Sequence, residues 1–130
     1  MIVENTPNMV VRPARNVWSA VRRGLRHRCP NCGRGQLFRA YLKPVETCSE
    51  CAENLGRIRA DDGPAWLTVL ITGHVTVGAA LTMEMVHPLP VPASIALFSG
   101  LTLAMALALL PRAKGVFIGA IWAMGATGEE

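Results

Sequence analysis

The sequence predicts a membrane α-helical hairpin of two transmembrane helices, with a small N-terminal zinc-ribbon-like knuckle domain and an amphipathic N-terminal helix. Three observations predict it. Two long stretches in the second half are almost free of charge. The four cysteines form two Cys-x-x-Cys pairs in the first half. Charge is also split along the chain. Residues 1–59 carry eleven basic and four acidic side chains, whereas residues 60–130 carry two basic and five acidic. Hydrophobic residues make up 51% of the chain and charged residues 17%. That is too apolar for disorder and unlike an ordinary soluble globule. A chain of 130 residues also leaves no room for a large enzyme with a deep core.

The chain divides into a basic amphipathic segment (1–27), a metal-binding knuckle module (28–60), a hairpin (61–110) and a cytoplasmic or interfacial C-terminal segment (111–130). In the first, Ala14, Val17, Trp18, Val21 and Leu25 fall at helical spacing. A basic amphipathic helix bearing a tryptophan reads as a membrane-surface element. Arg15, Trp18, Arg22, Arg23 and Arg26 are its expected lipid contacts, at roughly 1 kcal/mol per basic group on an anionic leaflet. Nucleic-acid binding by a basic zinc ribbon is the competing reading. It lacks aromatic interleaving and a base-reading helix, so the expected partner is the lipid bilayer. No cleavable signal peptide is expected, because Glu4, Asn5, Pro7, Arg12 and Pro13 interrupt any apolar run.

Cys29, Cys32, Cys48 and Cys51 carry the clearest chemistry. Fifteen residues separate the two pairs, within the four-thiolate zinc pattern. A module of this size cannot build a sufficient core alone. A structural zinc supplies apparent binding free energy of about 10–16 kcal/mol at neutral pH. Iron in the same cage is the second reading and would make an electron carrier. A thiol-redox role lacks a thioredoxin-like pattern, and a reducing cytoplasm opposes disulfides.

The first helix is expected over about 64–86, where only His74 and Glu84 are ionisable, and the second over about 92–110, which has no charge. Each is long enough to cross a hydrocarbon core of about 30 Å. The short loop from His87 to Val91 makes them antiparallel. Basic residues precede the first helix, and Arg112 and Lys114 follow the second. The positive-inside rule therefore places both termini in the cytoplasm. Thr68, Thr72 and Thr76 form one small-residue stripe, and Gly100, Ala104 and Ala108 another. Both suit hairpin packing or homodimerisation.

Asp61 and Asp62 precede Gly63-Pro64. They read as a helix cap, or alternatively as a juxtamembrane cation site. His74 lies about 15 Å deeper, near the midplane. An ionisable group there is a candidate polar site by default. It reads as a proton relay or a ligand shared with a partner, or else as a neutral imidazole bonded to a Thr or Ser of the neighbouring helix. Residues 116–124 are too short to span. They lie in the interface with Trp122 near the headgroups, or they continue the second helix past Pro111. Ser19, Ser49, Ser94 and Ser99 lack any hydrolase motif, and no phosphate loop is present. No enzyme is expected.

The run Arg28-Cys-Pro-Asn-Cys-Gly-Arg-Gly-Gln-Leu-Phe-Arg-Ala-Tyr-Leu-Lys43 resembles the opening of the bacterial domain of unknown function 983 family. Ala60-Asp-Asp-Gly-Pro-Ala65 and Pro111-Arg-Ala-Lys-Gly115 resemble it too, and the likeness covers roughly residues 15–125. It implies a small bacterial inner-membrane protein with a cytoplasmic knuckle pair and two helices. The family has no established activity. In several bacteria its members are encoded beside cytochrome oxidase subunits and assembly factors, which implies a larger membrane complex, a respiratory oxidase, as partner. This chain departs from the pattern at Ala52, where a glycine commonly follows the last cysteine. A left-handed backbone is therefore not expected at Ala52, while the ligand count stands.

Overall fold

The structure is a computed structural model, and it describes residues 15–60 and 62–125. Its elements are α1 (Val17–Leu25), β1 (Phe38–Ala40), β2 (Lys43–Pro44), α2 (Gly63–Val86) and α3 (Val91–Met124). Ala14 and Asp61 lie outside the described residues.

Helix α1 starts where the Asn16 side chain accepts hydrogen bonds from the Trp18 and Ser19 amides, at 3.0 and 3.3 Å. These satisfy amides that have no helical partner. The helix buries Ala20 and Gly24 rather than the expected apolar stripe. Val17, Trp18 and Leu25 stay 44%, 72% and 46% exposed. The cause is a close backbone approach to α3. A Cβ on Gly24 or Gly115 would strike the backbone of the other, and one on Gly119 would strike the Ala20 carbonyl. The pairs run in opposite order, so α1 lies antiparallel to α3. Small residues four apart on both helices permit the approach.

Helices α2 and α3 are long and apolar enough to cross a membrane, and the rest of the chain covers almost none of their most apolar surface. They meet through the threonine stripe. Thr68 and Thr72 are buried, and the Thr76 and Thr102 hydroxyls lie 3.2 Å apart. The second small stripe does not take part. Gly100, Ala104 and Ala108 are exposed, and nothing lies within 4 Å of a Cβ on Gly100. On α3 the contact shown is Thr102, and Met105 and Leu109, at the three- and four-residue steps of the same helix stripe, are likewise half-buried.

Helix α3 continues through Pro111 to Met124. At about 1.5 Å per residue its 34 residues reach about 51 Å, well beyond one hydrocarbon core. Residues 116–124 are thus neither a separate interfacial segment nor free. Pro111 has no amide to offer the Leu107 carbonyl. The Tyr41 hydroxyl donates to that carbonyl instead, at 2.9 Å. The Arg112 guanidinium donates to the Ala108 carbonyl at 2.8 Å.

The end of α3 completes the core of the head. Leu37, Leu55 and Ile58 pack in one cluster with Ala20, Ile118 and Trp122. Trp122 is 6% exposed, so its expected headgroup position is corrected. Its indole nitrogen donates to the Glu53 carboxylate at 3.0 Å. Lys114 donates to the Leu42 carbonyl at 2.7 Å.

Candidate metal centre

Two short ladders build the knuckles. Residues Arg28 and Gln36 form one antiparallel bridge, and Thr47 and Asn54 form the other. Within each knuckle the residue after the second cysteine donates its amide to the first cysteine's carbonyl. Gly33 donates to Cys29 at 2.9 Å and Ala52 to Cys48 at 3.0 Å. That turn needs positive φ. Gly33 has φ 70° and Ala52 has φ 57°. The left-handed backbone thus persists at Ala52 despite its Cβ, which costs about 1–2 kcal/mol.

The turns direct all four sulfurs to one point. The ligand atoms of Cys29, Cys32, Cys48 and Cys51 lie within 4.8 Å of one another. Across the knuckles, Cys29 and Cys51 sulfurs are 3.6 Å apart, and Cys32 and Cys48 sulfurs 3.7 Å. These separations are too long for disulfides, and the thiols are free. A tetrahedral site with zinc–sulfur bonds of about 2.3 Å has sulfur–sulfur edges of about 3.8 Å. The cage therefore fits one tetrahedral metal ion. Four thiolates suit either zinc or iron.

Cys29 and Cys48 are buried, while Cys32 and Cys51 lie nearer the surface. Gly35 makes room for the Cys48 sulfur, which a Cβ at that position would strike. The Cys32 sulfur faces the backbone amides of Gly35 and Arg34, which hold its thiol down to about 6. Burial pushes the Cys29 thiol up, and the Cys51 thiol up as well. The Asn31 amide approaches the Cys51 sulfur at 3.5 Å and links the knuckles. A site so arranged has Cys32 ready as thiolate, while Cys29 and Cys51 give up protons as metal enters.

Arg23 braces the first knuckle from α1. Its guanidinium donates to the Pro30 and Asn31 carbonyls, at 3.1 and 2.8 Å. Arg15 braces the second. It donates to the Trp122 carbonyl at 2.7 Å, lies 4.2 Å from the indole centroid and sits 3.8 Å from the Glu53 carboxylate. These two arginines, expected on lipid, are spent inside the head. Arg22 and Arg26 remain exposed, as does Trp18.

The other candidate residues stand apart from the cage. Asp62 occupies the N-cap of α2, but its side chain makes no capping bond. Its backbone is already helical (φ −98°, ψ −27°), whereas capping needs an extended residue. His74 lies exposed on α2, and its Nδ1 is 2.7 Å from the Leu70 carbonyl of the same helix. It does not bond a neighbouring Thr or Ser. A carbonyl only accepts, so Nδ1 carries the proton and Nε2 is left as an outward acceptor.

Asn31, Tyr41 and Glu53 were not singled out from the sequence, and Arg23 and Lys114 were read there only as a lipid contact and a topology signal. Their one legible trace was the paired spacing of Ala20-Gly24 and Gly115-Gly119.

A family model described as Protein of unknown function (DUF983) matches residues 38–122. The match takes in Cys48, Cys51, α2 and α3 as far as Trp122, and leaves Cys29 and Cys32 outside. No curated protein and no solved structure matches the chain.

Proposed function

This chain belongs to the DUF983 family of proteins of unknown function, and from that premise we propose a non-enzymatic docking factor of the bacterial inner membrane. In this reading α2 and α3 span the bilayer with both termini in the cytoplasm. A structural zinc holds the head rigid on the cytoplasmic end of α3. The two outward helix faces meet a larger membrane complex, and a homodimer uses the same faces if no partner is present.

One observation carries the reading. The four-sulfur cage sits in a core that continues directly into α3, through Ile118 and Trp122. A closed site with four protein ligands leaves no position for substrate, which is the mark of a structural metal. When bound, the metal supplies cross-linking rather than chemistry. The residues do the rest: they fix the head to the membrane helix so that any force on one is felt by the other.

The charge split supports the orientation. The exposed glycines of α2 and α3 support a helix-packing partner, because Gly73, Gly78 and Gly100 have nothing within 4 Å of a Cβ. The family resemblance points to a respiratory oxidase as that partner. The test is a gentle-detergent pull-down of the tagged chain from native membranes, with partners identified by mass spectrometry. Enrichment of oxidase subunits or of their copper and haem insertion factors is the expected result. Recovery of the chain alone, with oxidase components at background, overturns the docking role.

A further inference from the structure

The head carries a surplus of arginine that the metal site does not use. Residues 15–60 hold ten basic and three acidic side chains, a net of +7. A zinc tetrathiolate offsets two of these charges, and the carbonyl end of α1 about half of one. Most of the charge is left over, and it is gathered in one place.

Two clefts meet where α1 ends. The first, of about 380 Å³, is lined by Arg22, Arg23, Arg26 and Arg28, beside Trp18. The second, of about 450 Å³, is lined by Arg26, Arg28 and Arg34, beside His27. Arg26 and Arg28 form the wall between them. Among the described residues no carboxylate lines either cleft. The side chains of Arg22, Arg26 and Arg34 make no hydrogen bond or ion pair among the described residues. His27 Nε2 is buried with no hydrogen-bond partner among the described residues, its ring edge-on to Phe38 at 5.2 Å between centroids. Unpaired guanidinium groups converging on a concave, acid-free surface match a phosphate group, whose oxygens accept their forked donors.

The fold also says where the phosphate comes from. Helix α1 runs antiparallel to α3, with Ala20 at Gly119 and Gly24 at Gly115. Arg26, at the C-cap of α1, therefore lies toward the stretch of α3 that adjoins its apolar span, and the turn at His27 returns the Arg28 amide to the Arg23 carbonyl at 2.9 Å, which keeps Arg28 beside the end of α1. Arg112 lies exposed on that same stretch of α3. Trp66, near the start of α2, is 76% exposed. Arginine and tryptophan at such positions mark a headgroup layer.

We propose that the double cleft at the end of α1 binds the headgroup phosphate of an anionic phospholipid, with Arg26 and Arg28 as shared ligands and Arg22 and Arg34 on either side. The proposal rests on the reading of α2 and α3 as membrane-spanning. It differs from general attraction of a basic helix to a surface, because it names a site and excludes Arg15 and Arg23, each held by two partners in the head, whereas Arg28 makes one long bond of 3.4 Å to the Arg34 carbonyl and keeps its other donors.

The test titrates the full-length, metal-loaded protein in neutral detergent with short-chain phosphatidylglycerol, short-chain phosphatidylcholine or inorganic phosphate. Native mass spectrometry reads the bound lipid. The expected result is retention of phosphatidylglycerol over phosphatidylcholine, weakened about tenfold in Arg26→Gln/Arg28→Gln. Arg57→Gln/Arg59→Gln removes the same charge from the head outside the clefts and leaves binding unchanged. Equal retention of both lipids, or equal loss in both double variants, overturns the proposal. Displacement of the lipid by equimolar inorganic phosphate overturns the lipid source, and displacement by an RNA oligonucleotide does so in favour of nucleic acid. Metal content per chain reports folding of each variant; should Arg26→Gln/Arg28→Gln lose metal, Arg22→Gln takes its place. Carbonate extraction of native membranes reports insertion separately. An inserted protein without headgroup preference sinks this proposal and spares the membrane reading, whereas a protein released by carbonate sinks the membrane reading itself.

Discussion

The Tyr41 hydroxyl donates a 2.9 Å hydrogen bond to the Leu107 carbonyl, the one that Pro111 leaves without its helical amide. A residue at the tip of the β1–β2 turn thus completes the ladder of a helix 66 positions away. Tyr41→Phe keeps the ring and removes the donor. It should lower stability in detergent by about 1 kcal/mol, as judged by thermal unfolding followed by circular dichroism. Pro111→Ala gives Leu107 an amide of its own, so the cost of Tyr41→Phe should shrink in that background. An unchanged cost would mean that the ring, not the hydroxyl, matters.

Where Gly24 of α1 meets Gly115 of α3 there is no room for a side chain. Gly115→Leu forces the helices apart and should cost about 1–3 kcal/mol or more. The head should then become cleavable by trypsin in the native protein. Gly100→Leu adds the same side chain to the same helix where nothing lies within 4 Å. It should leave the fold intact. Comparable protease sensitivity in both variants would show that the head is not held through Gly115.

The two variants also mark what was legible in the sequence. The cage was readable because Cys29, Cys32, Cys48 and Cys51 carry their geometry in their spacing. The two long helices were readable because their stretches, one free of charge and the other almost so, are long enough to cross a bilayer. The docking of the head on α3 was not. Its determinants are glycines, which carry no hydropathy signal, and a proline, which on local grounds reads as a break. Pro111 ends a helix only when the freed carbonyl finds no donor, and Tyr41 is too distant in sequence to be seen as that donor. The stripe of Val17, Trp18 and Leu25 misled for a related reason. Helical periodicity finds the apolar face of α1, but the close approach at Gly24 decides which face is buried. At Ala52 the turn imposed by the Cys48 carbonyl outweighs the cost of a Cβ.

Metal loading should depend on pH in two regimes. Burial raises the Cys29 and Cys51 thiols, so protons must leave them as metal enters. Backbone amides hold Cys32 at about 6, so above that pH it is already a thiolate and releases nothing. Below it, Cys32 also holds a proton that competes with metal. Apparent affinity should therefore fall with acidification throughout, and more steeply below about pH 6. A chromophoric chelator titrated against the purified protein measures this. Cys32→Ser should abolish the steeper limb. A colourless protein with one zinc per chain would exclude the iron reading of the same cage.

His74 offers a test of whether the outward face of α2 matters. Its Nδ1 proton is held by the Leu70 carbonyl of its own helix, and the side chain is exposed. Among the described residues its ring bonds only its own helix. His74→Ala should change stability by no more than about 0.5 kcal/mol and leave metal content unchanged. If the outward face docks on a larger membrane complex, the same variant should lose co-purifying partners in the pull-down, because an exposed imidazole acceptor on so apolar a helix has value only to a donor or metal on another chain. A stability loss well above that figure would place the imidazole in the chain's own packing. Unchanged partners would show that docking uses another part of the surface, and the exposed glycine face around Gly100 would be the next to substitute.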